Sequence, residues 1–159
     1  MLPIGQLTLF LALGVALLLF LFPLVGVYFR NERLIYSARP LAVWLFLLIL
    51  LAFILLGYTF WLNDFSYLYI ANNSNTQLPW FYQLTAIWGG HEGSMLLWVF
   101  MLAFWMMLVV LFARQMPVEL SSVTLAVLGG IIVCFLAFLI FTSSPFARNV
   151  FGPIYNGAD

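Results

Sequence analysis

LAVWLFLLILLAFILLGYTFWL, residues 41–62, carries no charged side chain from end to end. A helix of that length is roughly 33 Å long, enough to cross a ~30 Å hydrocarbon core. Three further runs have the same character: Leu7 to Phe29, Ser94 to Phe112 and Ser121 to Thr142. Lipid offers no partner for backbone N–H and C=O groups, so such runs cross as helices. A transmembrane β-barrel would need alternating segments of about 10 residues, and these runs do not alternate. The fold class expected is all-α integral membrane, four transmembrane helices in an antiparallel bundle, with no soluble domain.

Composition agrees. The chain is 66% hydrophobic, against roughly 45–50% in soluble domains. It is 6% charged and contains no lysine, so few polar groups are available for chemistry. No basic residue precedes the first run, that run is too long for a signal peptide, and no small-residue cleavage site follows it; the first span is expected to remain in place.

Arginine placement gives an orientation. Arg30, Arg33 and Arg39 lie between spans 1 and 2, and Arg114 lies between spans 3 and 4; only Arg148 falls on the other side. Positive residues stay cytoplasmic, so both termini and the 63–93 loop are expected outside. In a Gram-negative bacterium this is the periplasm, giving a multi-pass inner-membrane protein with periplasmic ends.

The connections differ in kind. Residues 30–40 and 113–120 are short basic turns, with Pro40 and Pro117 suited to the first turn of the following helix. Pro23 falls inside span 1. The 63–93 loop opens with Asn63 to Tyr69, which reads as an interfacial or short strand-like piece. It passes through the polar turn cluster 72–77 and returns to aromatics at Leu78 to Tyr82. Trp61, Tyr67, Tyr69, Trp80, Tyr82 and Trp88 read first as an interfacial aromatic belt, because their rings are amphipathic. An alternative is a shelf for a flat hydrophobic ligand or a partner's helix. The single cysteine, Cys134, has no partner and reads as a small buried hydrophobe. Without C-x-x-C or C-x-x-C-H, thiol oxidoreductase and c-type cytochrome chemistry are excluded for this chain. Five arginines are too few for nucleic-acid binding.

The polar headpiece is Trp88-Gly89-Gly90-His91-Glu92-Gly93-Ser94, at the outer start of span 3. It holds the only histidine. Three glycines in five residues permit unusual dihedrals or close approach of another group. Ser94 or a residue just before it can cap the helix, Glu92 suits its positive end, and His91 can transfer a proton or ligate a metal. His91, Trp98 and Trp105 recur at seven-residue spacing and so share one face, with Met95 and Leu102 beside them. That stripe reads either as a helix–helix packing seam or as a Trp-lined wall leading inward from the headpiece. Asp64 reads as a solvated boundary residue. Arg148 could snorkel to the interface or pair with a ligand carboxylate.

These segments together resemble the N-terminal part of the CcmF/NrfE family, the large membrane subunit of the bacterial cytochrome c haem lyase. The resemblance rests on Ser37-Ala38-Arg39-Pro40-Leu41-Ala42, Asn63-Asp64-Phe65-Ser66, and Asn73-Ser74-Asn75 leading to Leu78-Pro79-Trp80-Phe81-Tyr82. It continues through Trp88 to Trp98 and through Phe141-Thr142-Ser143-Ser144-Pro145-Phe146-Ala147-Arg148. It implies a component of cytochrome c maturation that handles haem at the periplasmic face and attaches it to apocytochrome c. Implied partners are membrane lipid, a haem chaperone, apocytochrome c and a small apocytochrome-binding lyase subunit. Implied cofactors are a b-type haem and the substrate haem.

The family's W-G-x-W-W-x-W-D motif and its axial histidines have no counterpart here, so the resemblance implies an N-terminal piece of a longer protein, catalytically incomplete alone. His91 matches a family Gly-His-Glu-Gly histidine and receives no axial role. The candidate haem or partner interface comprises Trp88, Gly89, Gly90, His91, Glu92, Gly93, Ser94, Trp98 and Arg148. The competing classes are a structural membrane docking or assembly subunit, and a transporter or quinone-linked redox subunit.

Overall fold

The structure, a computed structural model, describes residues 4–62, 64, 66–73 and 79–148. Its described residues form seven α-helices: α1 Ile4–Tyr28, α2 Glu32–Tyr36, α3 Ala38–Trp61, α4 Leu68–Asn73, α5 Trp80–Ala86, α6 His91–Phe112 and α7 Val118–Phe141. Helices α1, α3, α6 and α7 are long and apolar enough to span a membrane.

Each spanning helix begins three residues before its apolar run. Ile4-Gly5-Gln6, Ala38-Arg39-Pro40, His91-Glu92-Gly93 and Val118-Glu119-Leu120 supply the extra first turns. Hydropathy marks what lies in lipid, whereas a helix propagates into polar residues wherever its backbone groups are satisfied. Pro40 lies in the first turn of α3 as expected, but Pro117 is the residue before α7 rather than inside its first turn.

The four spans close a ring: α1 packs on α3 and α7, and α6 packs on the same two helices from the other side. Sequential connections reverse the chain, so every neighbour in the ring is antiparallel. The core is a stripe from each helix. On α3 it is Ala38, Ala42, Leu45, Ile49, Ala52, Leu56 and Phe60; on α6 it is Gly93, Leu96, Val99, Ala103 and Met106. These spacings of three and four residues trace one helical face. Only 22–39% of each span's most apolar window is buried. The outward faces are nevertheless as apolar as the core, which is what lipid contact requires.

The end bearing the basic connections is tied by polar contacts. The Ser122 hydroxyl donates to the Ile35 carbonyl (2.9 Å), joining α2 to α7. An Arg39 guanidinium N–H reaches the Ala113 carbonyl at 3.5 Å, just past the end of α6. Helix α1 ends with backbone bonds from Asn31 N to Gly26 O and from Arg30 N to Val27 O, and Arg30 takes φ 54°. This is a Schellman ending with arginine in the left-handed position usually held by glycine.

At the opposite end the loop folds over the bundle. The Asp64 carboxylate accepts from the Ser66 N–H and hydroxyl, forming a turn rather than standing as a free boundary charge. Among the described residues of 63–69 the strand-like expectation reduces to one bridge, Tyr67 with Arg148, extended by a bond from Leu68 N to Ala147 O (2.9 Å). Phe146 is buried beneath it, edge-on to Tyr67. Of the expected polar cluster, Asn72 and Asn73 end α4; residues 74–77 lie outside the described residues, as do Asn63, Phe65 and Leu78. Cys134 is exposed on α7, contrary to the buried role expected, because position 134 points away from the bundle axis.

Candidate functional site

The headpiece is built around a tyrosine that composition assigns to the interfacial belt. Tyr69, on α4, is 3% exposed and packs edge-on against Phe60 near the outer end of α3. Its hydroxyl donates to the Ile87 carbonyl (3.0 Å), with the Ala86 carbonyl at 3.3 Å, and accepts from the Gly90 N–H (3.2 Å). The Asn73 side-chain amide closes the turn onto the Tyr69 carbonyl (2.9 Å). One phenol therefore satisfies the chain just before α6 and an amide at the helix mouth, groups that a buried turn would otherwise leave unpaired.

This contact explains the glycines. A Cβ on Gly90 would run into the Tyr69 ring and hydroxyl and the Asn73 side-chain oxygen. A Cβ on Gly93 would strike the Ile87 carbonyl and the Tyr69 hydroxyl. Close approach, not unusual dihedrals, is the requirement at both positions: Gly90 sits at φ −97°, ψ 170°, open to any residue. A Cβ on Gly89 would meet only ordinary van der Waals neighbours. Gly90 is also the N-cap of α6, with no side-chain cap. Ser94 does not cap; its hydroxyl donates to the His91 carbonyl (2.9 Å), one turn back in the helix.

With the glycines facing inward, the chemical side chains face elsewhere. His91 is exposed, its ring 6.1 Å from that of Phe138 on α7. Below it, Met95, Cys134, Phe135 and Phe138 line a shallow apolar groove of about 240 Å³ between α6 and α7. Glu92 is half-buried in the first turn of α6, where the positive helix end favours its charge. Burial pushes the Tyr69 phenol above its ordinary value. The Gly90 and Gly93 backbone groups oppose that shift, and the Glu92 charge adds to it.

The expected stripe divides: Met95 and Leu102 pack partly against the core, whereas its tryptophans face outward. Trp98 and Trp105 are 63% and 59% exposed, and with Leu97, Met101 and Leu102 they line an open groove of about 490 Å³ on the outer face of α6. Trp88 is exposed beside the headpiece. Arg148 is exposed and joins the outer end through its backbone bridge to Tyr67. The described residues form no cluster of three or more His, Cys, Asp or Glu side chains able to hold a metal. The headpiece is thus a hydrogen-bonded helix mouth that presents one imidazole and one carboxylate above apolar, aromatic faces.

Relatives share this segment. The chain is 46% identical over 146 residues to the cytochrome c-type biogenesis protein CcmF of Haemophilus influenzae, covering 92% of this chain and 22% of that protein. It is 45% identical over 147 residues to CcmF of Escherichia coli, with 92% and 23% covered. Against the cytochrome c-type biogenesis protein NrfE of Haemophilus influenzae it is 42% identical over 149 residues, with 93% and 24% covered. The solved structure titled "Cytochrome c Heme Lyase CcmF" superposes with TM-score 0.84 at 33% identity, over 90% of this chain and 24% of that one. No family model matches. The chain spans less than a quarter of the length of the relatives it matches. The chain matches the N-terminal part of the CcmF/NrfE cytochrome c-type biogenesis proteins.

Proposed function

We propose that this chain is the N-terminal membrane region of a bacterial cytochrome c maturation haem lyase, lying in the inner membrane with both termini and the headpiece on the periplasmic side. The observation that carries this reading is the match, over nine-tenths of the chain, to a protein titled as a haem lyase. The four arginines at one end of the bundle and the single Arg148 at the other support the orientation.

Within that lyase the headpiece and α6 help to hold haem and its partners. The residues suit the edge of a flat apolar macrocycle: Trp88 and Trp98 offer aromatic faces, the Met95–Phe138 groove is apolar, and Arg148 suits a propionate. Iron ligation is assigned to none of these residues. Haem supplies the group that becomes attached to the cytochrome. Trp88, Gly89, Gly90, His91, Glu92, Gly93, Ser94, Trp98 and Arg148 position it or the partner that carries it. The partners are a haem chaperone, apocytochrome c and a small apocytochrome-binding subunit.

The test is complementation. This chain replaces the matched segment of CcmF in Escherichia coli lacking its own copy, and holocytochrome c is read by haem stain. His91→Ala and Glu92→Gln are expected to lower the yield several-fold at unchanged protein level. Unchanged yield would reduce the headpiece to architecture.

A further inference from the structure

The outward faces of α1 and α7 are mainly hydrocarbon: Leu7, Leu11, Leu18 and Leu21 on one, Val127 and Ile131 on the other. The outward face of α6 differs. Trp98 and Trp105 each lie three to four residues from the middle of His91–Phe112, about 5 Å along the axis. Tryptophan gathers at the membrane interface, where water or headgroups accept its N–H. These two indoles sit deeper, point away from the bundle and donate to no group among the described residues. Trp44 on α3 also faces outward, but about 8 Å from the middle of its helix and so nearer the interface. In hydrocarbon an indole N–H has no acceptor, and an unpaired polar group there costs free energy. Helix α6 is also the least buried of the four spans, with 22% of its window covered. More than three-quarters of the length of the matched relatives lies outside this segment.

We propose that the Trp98–Met101–Trp105 face of α6 is the docking surface for a further transmembrane helix of the family-length protein. That helix brings hydrogen-bond acceptors, from Ser, Thr, Asn or Gln side chains or from a backbone carbonyl beside a small residue, to the depth of the two indoles. This rests on the reading of the chain as one segment of a longer lyase but not on haem handling: the cross-link reads helix docking alone, whereas holocytochrome yield reads a haem role of Trp98.

The test uses a photo-reactive benzoylphenylalanine at Met101. This chain is co-expressed with the remainder of Escherichia coli CcmF as a second polypeptide, and is also fused to it in one chain. Irradiation is expected to yield a band joining the two polypeptides, and in the fused form a cross-linked peptide from beyond the grafted segment. Cross-linking only to lipid, or only to a second copy of this chain, would overturn the proposal. A parallel measurement keeps it testable if the cross-linker perturbs folding. Trp98→Phe with Trp105→Phe retains apolar rings but removes both N–H groups. It is expected to lower the apparent melting temperature of the two-polypeptide assembly while leaving that of the isolated chain unchanged; equal shifts in both would overturn the proposal.

Discussion

The Tyr69 hydroxyl accepts from the Gly90 amide at 3.2 Å across 21 positions of sequence, fastening α4 to the mouth of α6. The same hydroxyl donates its proton to the Ile87 carbonyl, so one buried phenol holds both sides of the turn that enters the membrane helix. His91 follows directly and emerges on the exposed side.

Tyr69→Phe removes the hydroxyl and keeps the ring. The Gly90 N–H and Ile87 carbonyl then lose their shared partner in a mostly dry turn. The cost expected is about 1–3 kcal/mol, read as a lower apparent melting temperature in detergent. Amide exchange at Gly90 should accelerate while exchange in the middle of α3 stays slow. Unchanged exchange at Gly90 would mean that the bond is not formed in solution.

Alkaline pH should weaken the same contact. Burial raises the Tyr69 pKa above its ordinary 10.0, so the folded state disfavours the phenolate. The stabilisation is fully present below pH 10.0 and is lost as pH rises through the folded value. Ultraviolet titration of phenolate should find a step above pH 10.0, and Tyr69→Phe should remove that late step. Its persistence in the variant would assign it to another tyrosine.

The spans and their antiparallel order are legible in the sequence because hydropathy reports directly on what lipid tolerates. The headpiece was legible in part. Three glycines in five residues announced a close approach, but the approaching group, Tyr69, lies some twenty positions away and looks like one more belt aromatic. Seven-residue spacing correctly placed Trp98 and Trp105 on one face. It could not say which face, because in a membrane helix the lipid side and the core side are equally apolar. The same ambiguity misplaced Cys134, which points outward.

Arg30 occupies the left-handed position that ends α1, at φ 54°. Arg30→Gly relieves a conformation that side chains disfavour, and a gain of up to about 1 kcal/mol is expected. Thermal unfolding checks it; a loss of stability would show that the arginine side chain contributes more than its backbone strain costs.

The orientation proposed from the arginines is open to fusion reporters. Alkaline phosphatase fused after residue 159 is expected to be active and a green fluorescent protein fusion dark, as for a periplasmic end. Replacing Arg30, Arg33 and Arg39 with Asn should lower phosphatase activity by letting inverted molecules accumulate. A bright fluorescent fusion of the unmodified chain would reverse the orientation.

The fit of Tyr69 against the helix-mouth glycines is tested most directly by a double-mutant cycle. Gly90→Ala should destabilise the native chain by about 1–3 kcal/mol, because the new methyl meets the Tyr69 ring. In a Tyr69→Leu background the ring and hydroxyl are gone and only the Asn73 side-chain oxygen remains close, so the same substitution should cost less, giving a coupling of at least about 1 kcal/mol. Gly93→Ala should stay costly in both backgrounds, since its methyl would meet the Ile87 backbone carbonyl. Equal costs for Gly90→Ala in the two backgrounds would contradict the contact on which the headpiece is built.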